Sequence, residues 1–169
     1  MSVGRGAFYQ CTNIVSVELP TTVTMIGGSA FEDCGLKSID LTNIDHLGES
    51  VFSNCNYLTS VTFGNKLTDI PLMCFQSCPI QTLTLQEGLQ TIGHGAFWVP
   101  LDMNPELYPD FATRFTEVTI PSTVTSIGIS SDRNTAFYSI PKVQKIYVKK
   151  SSESLAGAPW GAESVEWIG

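Results

Sequence analysis

Five cysteines and two histidines are the residues of this chain that could form a metal site, a disulfide or a catalytic nucleophile. Cys11, Cys34, Cys55 and Cys78 recur at intervals of 21 to 23 residues, and Cys74 stands four residues before the last of them. Zinc sites need ligands clustered at short spacing, and no Cys-x-x-Cys or histidine pair provides such a cluster. A single thiol at each interval is instead typical of a small apolar side chain in a buried column. The spacing therefore predicts five core cysteines, with no metal ion and no disulfide.

The two histidines do not indicate catalysis either. His46 and His94 fall at different positions when the repeating units are aligned, and nothing in the sequence identifies a partner for a general base. Residues 102–106 (Asp-x-Asn-x-Glu) resemble the start of a calcium loop, but the glycine and the terminal glutamate of that loop are missing. The sequence also has no phosphate-binding loop, nucleophile elbow or zinc-protease motif. We therefore expect a protein that is not an enzyme and that needs no cofactor.

The elements that position these residues follow from a repeat of about 22 residues, which phenylalanine marks at Phe8, Phe31, Phe52, Phe75, Phe97 and Phe137. An aliphatic triplet with the spacing L-x-x-L-x-L follows in each unit, and a second aliphatic pair closes most units. This pattern predicts about six stacked coils, each with a short helical turn at Phe-x-x-Cys and two short parallel-stacked strands. We expect the chain to turn into the next coil through positive φ angles at Gly27, Gly48, Gly93 and Gly128.

Length and composition fit one solenoid domain over residues 1–169, because 43% of the residues are hydrophobic and are spread evenly by the repeat. Two insertions interrupt the period, at about 98–114 and 128–135, and we expect a C-terminal cap at about 151–169. The net charge of -7 argues against nucleic-acid binding, and no apolar run approaches the ~20 residues that span a bilayer. The first coil has neither a secretion signal nor a polar cap, so we expect a piece of a longer protein.

The repeats resemble the BspA-like leucine-rich repeat, through the Ala-Phe-x-x-Cys turn, the Leu-x-x-Val-x-Ile-Pro strand and the Val-x-x-Ile-Gly return. The resemblance covers residues 6 to about 168 and includes the closing segment 155–160. It implies a β-rich α/β leucine-rich-repeat solenoid, and it implies a secreted or surface-displayed protein of host-associated bacteria or protists that acts in adhesion. The chain departs from the pattern where Pro100 and Ile140 replace the cysteine of the fifth and sixth units, and at the two insertions.

The outward side of the strands is the first candidate binding surface. The polar residue in the middle of each strand forms one column across the coils, composed of Glu18, Asp40, Thr62, Thr84, Thr119 and Tyr147. Repeat proteins often use such a face as an extended ligand platform. The alternative is a solvated face in which Ser and Thr satisfy β propensity, since the first five strands offer no aromatic or arginine anchor.

The insertion in the fifth unit is the second candidate surface, because it is rich in aromatic and proline residues. Its candidate contact residues are Trp98, Leu101, Met103, Leu107, Tyr108 and Phe111, to which the second insertion adds Arg133. Loops that a rigid scaffold positions often carry recognition. The alternative is that Trp98, Leu107 and Phe111 fold back as a plug over the edge of the coil, since aromatic residues also build cores.

The sequence thus favours a non-catalytic module for protein-protein or cell-surface recognition, and the alternative is a structural spacer without its own ligand. The expected partner is a protein or glycan at a surface, with no nucleic acid and no membrane insertion. The exposed edge of the first coil also allows end-to-end self-association. An extracellular or cell-surface location is what the family resemblance implies.

Overall fold

The chain forms a parallel β-solenoid of about six coils, which confirms the architecture expected from the repeat. The computed structural model describes residues 1–99, 109–128, 135–138, 143–149 and 155–168. Its strands are β1 (Ser2–Val3), β2 (Met25–Ile26), β3 (Ser38–Leu41), β4 (His46–Leu47), β5 (Ser60–Phe63), β6 (Asp69–Ile70), β7 (Thr91–Ile92), β8 (Glu117–Ile120), β9 (Ser126–Ile127), β10 (Lys145–Val148) and β11 (Ser164–Trp167). A 3-10 helix covers Pro109–Thr113, and no helix of the described residues is long and apolar enough to cross a bilayer.

Parallel pairing joins equivalent strands of successive coils. The longer strands form the pair β3-β5 and the sheet β8-β10-β11, and the two-residue return strands form β1-β2-β4 and β6-β7-β9. The register keeps equivalent residues together, so that Asp40 lies beside Thr62 and Thr119 beside Tyr147. Residues 16–19 and 82–85, which carry the same aliphatic pattern, are not strands. The expectation of two strands in every coil is therefore met only in part.

The Phe-x-x-Cys segment is a turn and not the short helical turn expected from the sequence. A residue with positive φ lies two positions before the phenylalanine in the first five coils and two positions after it in the first four: Gly6, Ser29, Ser50, Met73 and Gly95 before, and Gln10, Asp33, Asn54 and Ser77 after. A right-handed helix cannot pass through residues in the left-handed region. Alternate amides instead bond to the next coil, as the Phe8 N–H does with the Ala30 carbonyl at 2.8 Å.

The phenylalanines form a continuous stack along the solenoid axis. Neighbouring rings lie 5.1 to 5.7 Å apart between centroids and within 10° of parallel, from Phe8 through to Phe137. All of these side chains are fully buried except Phe8, which is 37% exposed at the first coil. The aliphatic triplets pack against this stack, so the core is the narrow seam that the even repeat predicts.

The expected role of the corner glycines is wrong, because Gly27, Gly48, Gly93 and Gly128 do not have positive φ. Each instead lies against the backbone of the preceding coil. A Cβ added to Gly48 would lie 2.3 Å from the Gly28 nitrogen, and one added to Gly128 would lie 2.2 Å from the His94 nitrogen. Glycine is therefore required here because two coils approach each other within the space of a side chain.

Candidate recognition surfaces

The cysteine column lies in the core and has a hydrogen-bonding role of its own. The thiol of Cys34 donates to the Phe8 carbonyl at 3.0 Å, and the next two thiols repeat this bond one coil further on, from Cys55 to Phe31 and from Cys78 to Phe52. Each thiol thus adds a second hydrogen bond to a phenylalanine carbonyl that already accepts the backbone N–H of the cysteine in its own coil. All five cysteines are free, four of them are buried, and Cys11 of the first coil is half-buried.

Burial makes these thiols poor nucleophiles. Desolvation raises the pKa of Cys55 to about 12 and raises the pKa of Cys74 and Cys78 well above the ordinary value. The thiolate is the reactive form, so these side chains remain protonated and inert at neutral pH. In the described part of the chain, no three His, Cys, Asp or Glu side chains are grouped so that they could hold a metal ion. His46 is exposed and His94 is half-buried.

The first part of the strand column is exposed but is not one continuous sheet. Glu18, Asp40, Thr62 and Thr84 all point to solvent. Of these, only Asp40 and Thr62 are brought side by side by strand pairing, since residues 16–19 and 82–85 are unpaired. The Asp40 carboxylate accepts hydrogen bonds from the hydroxyl and the amide of Thr42, at 2.6 and 2.8 Å, and these bonds lower its pKa.

A surface cleft of about 210 Å³ opens where the first coil is unpaired from the second. Glu18 and Asp40 lie on its walls together with Val17, Leu19 and Ile44. The cleft thus combines two exposed carboxylates with apolar side chains. The sequence could not predict this cleft, because residues 16–19 have the same aliphatic pattern as the strands that do pair.

The last part of the column has a different chemical character. Thr119 and Tyr147 lie side by side and are both partly buried. Lys145 forms an ion pair with Glu166 at 2.9 Å, and its ammonium lies 5.4 Å from the centre of the Tyr147 ring. Glu87 accepts a hydrogen bond from Ser122 and forms an ion pair with Lys149 at 3.4 Å. The charges on this face are therefore largely paired with each other.

Of the contact residues predicted in the two insertions, the structure describes Trp98 and Phe111. Trp98 is partly exposed, and Phe111, in the 3-10 helix, is only 4% exposed. The burial of Phe111 is compatible with the plug over the coil edge that the sequence left open as the alternative, and which of the two roles the insertion has stays a prediction. Leu101, Met103, Leu107, Tyr108 and Arg133 lie outside the described residues.

Arg114, at the end of the insertion, is the residue that the sequence analysis missed. Its side chain is 3% exposed, its Nη2 donates to the Phe97 carbonyl at 2.5 Å, and its guanidinium lies 4.1 Å from the centre of the Phe115 ring. Two features of the sequence are signals for it. Pro100 has no N–H, and Ile140 has no thiol, so neither donor that serves the Phe carbonyl of other coils exists for Phe97.

Comparisons with known proteins agree with this architecture. A family model for the BspA type leucine-rich repeat region matches residues 1–100 in six copies. Among solved structures, a leucine-rich repeat protein from Bacteroides ovatus is similar over 98% of this chain and 46% of its own length, with 18% identity and a TM-score of 0.54. At this identity the likeness shows the fold alone, and the chain spans less than half of that protein.

Two further solved structures are similar at lower TM-scores. The pneumococcal vaccine antigen PcpA is 18% identical with a TM-score of 0.45, over 85% of this chain and 42% of its own. A leucine rich cell surface protein from Faecalibacterium prausnitzii is 19% identical with a TM-score of 0.40, over 99% of this chain and 57% of its own. The comparison with curated proteins gives no match.

Proposed function

The chain belongs to the BspA-type leucine-rich repeat family, and from this premise we propose that it is a non-catalytic recognition module displayed outside the cell. Its partner in this proposal is a protein or glycan at a surface, and its role is adhesion. The observation that carries the proposal is the contrast between the regular coils and the fifth one. Phenylalanine and cysteine are buried in the second, third and fourth coils, whereas the fifth coil interrupts the repeat with an aromatic insertion that is anchored at both ends.

The anchoring supports recognition by the insertion because binding loops work best when a rigid scaffold holds them. At its start, the Trp98 carbonyl accepts the Ser77 N–H at 2.8 Å, and the Val99 N–H donates to Tyr138 at 2.9 Å. At its end, Phe111 is buried and Arg114 bonds to Phe97. The Trp98 side chain remains partly exposed at the first anchor, and tryptophan is among the residues most enriched in binding hot spots.

The test is a binding screen of the chain against glycans, matrix proteins and cell surfaces. A variant that lacks residues 99–112 should retain the circular dichroism of a folded solenoid but lose affinity for any ligand found. Its matched control is the double variant Asp40→Ala/Thr62→Ala, which changes two adjacent exposed residues of the strand face and should bind as the unaltered chain does. The reverse result, with affinity lost only in the control, would move the binding site to the strand column.

A structural spacer is the second candidate, and the paired charges of the last strands favour it. Lys145 with Glu166 and Lys149 with Glu87 leave little free charge for a partner on that face. Surface ion pairs of this kind contribute ~0–1 kcal/mol each to stability and are not themselves binding determinants. A screen with no binding to any ligand class would establish the spacer role over recognition.

A further inference from the structure

A surface cleft of about 300 Å³ opens at the corner of the first three coils, where each return strand leads into the next Phe turn. A volume of this size lies at the lower end of the range for pockets that bind small molecules. The cleft is lined by five residues, which are Arg5, Gly28, Ser29, Glu49 and Ser50. All five lie outside the strand column and outside both insertions, so the cleft is separate from the two candidate recognition surfaces.

The two ends of this cleft carry opposite charges. Arg5, Gly28 and Glu49 are equivalent positions of successive coils, two residues after the return strands β1, β2 and β4, which pair in register. With ~4.8 Å between paired strands, the Cα atoms of Arg5 and Glu49 lie about 10 Å apart. The coil between them contributes no side chain to the column, because its residue there is Gly28. A gap therefore separates an exposed cation from an exposed anion.

The polar side chains around this gap have no partner in the part of the chain that the structure describes. The Arg5 guanidinium and the Glu49 carboxylate form neither an ion pair nor a hydrogen bond there. The hydroxyls of Ser29 and Ser50 likewise form no hydrogen bond within the described residues. Two opposite charges and two hydroxyls thus face one cleft with their hydrogen-bonding capacity unused.

Backbone hydrogen bonds hold the floor of the cleft in place. The Ser29 N–H donates to the Glu49 carbonyl at 2.9 Å, and the Gly6 N–H donates to the Gly28 carbonyl at 3.0 Å. The backbone packs less tightly around Gly28 than around the corner glycines. A Cβ added to Gly28 would lie 3.2 Å from its nearest neighbour, the Glu49 carbonyl oxygen, whereas the closest distance is 2.3 Å at Gly48. The missing side chain therefore leaves open space above a fixed backbone.

A ligand with both a carboxylate and an ammonium group complements all four side chains. The Arg5 guanidinium offers a planar fork of donors that matches the two oxygens of a carboxylate. The Glu49 carboxylate accepts hydrogen bonds from an ammonium group, and the serine hydroxyls can donate to one group or accept from the other. A ligand with a single charge would satisfy only one end of the cleft.

We propose that this cleft is a binding site for a small zwitterion in which a short carbon chain separates an ammonium group from a carboxylate, as in a free amino acid. The gap at Gly28 is the space that the carbon chain of the ligand occupies. The site goes beyond the recognition role of the insertion and does not depend on it, since the cleft is formed by the first three coils alone.

The test uses 4-aminobutyrate as the probe. Its control is an equimolar mixture of butyrate and butylamine at the same ionic strength, which carries the same charged groups on separate molecules. In nitrogen-15 spectra of the chain, the amide signals of Gly28, Ser29 and Ser50 should shift in a saturable manner with the probe and not with the mixture. Exposed ion pairs are weak, so the expected Kd is about 1 mM or higher.

Variants of the lining residues assign the binding to the cleft. Arg5→Gln and Glu49→Gln should each weaken it by about two- to fivefold, as the loss of one exposed ion pair predicts. Gly28→Gln, which fills the gap and keeps both charges, should abolish the shifts, whereas Gly28→Ala adds only a Cβ and should retain most of the affinity. Glu18→Gln removes an exposed carboxylate outside the cleft and should bind as the unaltered chain does. Circular dichroism checks that each variant is folded.

Two results would overturn the site. The first is the absence of saturable shifts, or equal shifts with the probe and with the mixture. The second is unchanged binding in both Arg5→Gln and Glu49→Gln. Non-additive effects of these two substitutions on the free energy of unfolding, without any binding, would show that the two side chains pair with each other across Gly28 instead. None of these results affects the binding screen, because deletion of residues 99–112 leaves the lining residues of the cleft unchanged.

Discussion

Replacement of Phe52 by alanine tests whether the phenylalanine stack holds the coils together. Phe52 is fully buried, and its ring lies 5.7 Å from that of Phe31 and 5.3 Å from that of Phe75. Truncation of a phenylalanine in a close-packed core costs about 3–5 kcal/mol in the free energy of unfolding. The loss should fall at the upper end of this range, because two ring contacts of about 0.5–1.5 kcal/mol each disappear together.

Phe8→Ala is the matched control for this variant. The Phe8 ring stacks on one neighbour only, 5.1 Å away, and is 37% exposed. Full burial of a phenylalanine is worth about 1.5–3 kcal/mol, so removal of this partly exposed ring should cost roughly 1–2 kcal/mol. The two variants differ in position along the stack and not in chemistry.

Urea unfolding followed by both circular dichroism and tryptophan fluorescence measures the difference. All three tryptophans, Trp98, Trp160 and Trp167, lie in the C-terminal half of the chain, so their fluorescence reports on the later coils. If the stack couples neighbouring coils, Phe52→Ala should also separate the two transitions, as nearest-neighbour coupling in a solenoid requires. Equal costs for Phe8→Ala and Phe52→Ala would refute the role of the stack.

Three further outcomes follow from the geometry. Gly64→Ala should cost more than about 3 kcal/mol, because its Cβ would lie 2.1 Å from the Thr42 carbonyl oxygen, whereas Gly4→Ala, with open space around it, should be neutral in thermal unfolding. A thiol reagent at pH 8 should modify Cys11 long before Cys55, and equal labelling rates in mass spectrometry would contradict the burial of the column. The free energy of unfolding should fall as the pH rises above about 9, by up to about 1.4 kcal/mol per pH unit for each buried thiol. The reason is that the thiols of the unfolded chain ionise first, whereas the folded thiol of Cys55 stays protonated up to about pH 12. In urea titrations at increasing pH, the variant Cys55→Ala should therefore show a shallower fall than the unaltered chain.

The repeat alone was sufficient to predict the solenoid and most of its core. Phe31 and Cys34 have equivalents at a fixed interval with similar neighbours. Apolar side chains that repeat in this way stack on one another in successive coils and are buried along a common axis. The burial of Cys74 was predictable for the same reason, since it stands where other coils place alanine or valine before the phenylalanine. Periodicity therefore determines which side chains point inward.

Backbone conformation and the irregular coil were less predictable. Ser29 and Asp33 adopt positive φ because the Phe turn must alternate its hydrogen bonds between its own coil and the next, and side-chain periodicity carries no information on that requirement. The missing strand at 82–85 has the same aliphatic pattern as the paired strands, so side-chain periodicity cannot distinguish them. From the sequence alone, Arg114 would be predicted to be a charged surface residue. Its burial is explained only by the two hydrogen-bond donors that the Phe97 carbonyl lacks, because Arg114 replaces them.

The one-way hydrogen bonds of the Phe turns give this face of the solenoid an electrical polarity. Each turn donates its Phe N–H to the following coil, from Phe8 to Ala30 and onward to Phe137 and Trp160, so the peptide dipoles of this face are aligned along the axis. Aligned peptide dipoles add up, as they do in an α-helix. Their negative end lies at the first coil, where no donor of the described residues meets the carbonyl oxygens of Ala7 and Tyr9. A cation or an N–H donor is therefore favoured over an anion at the first-coil end of the Phe-turn face.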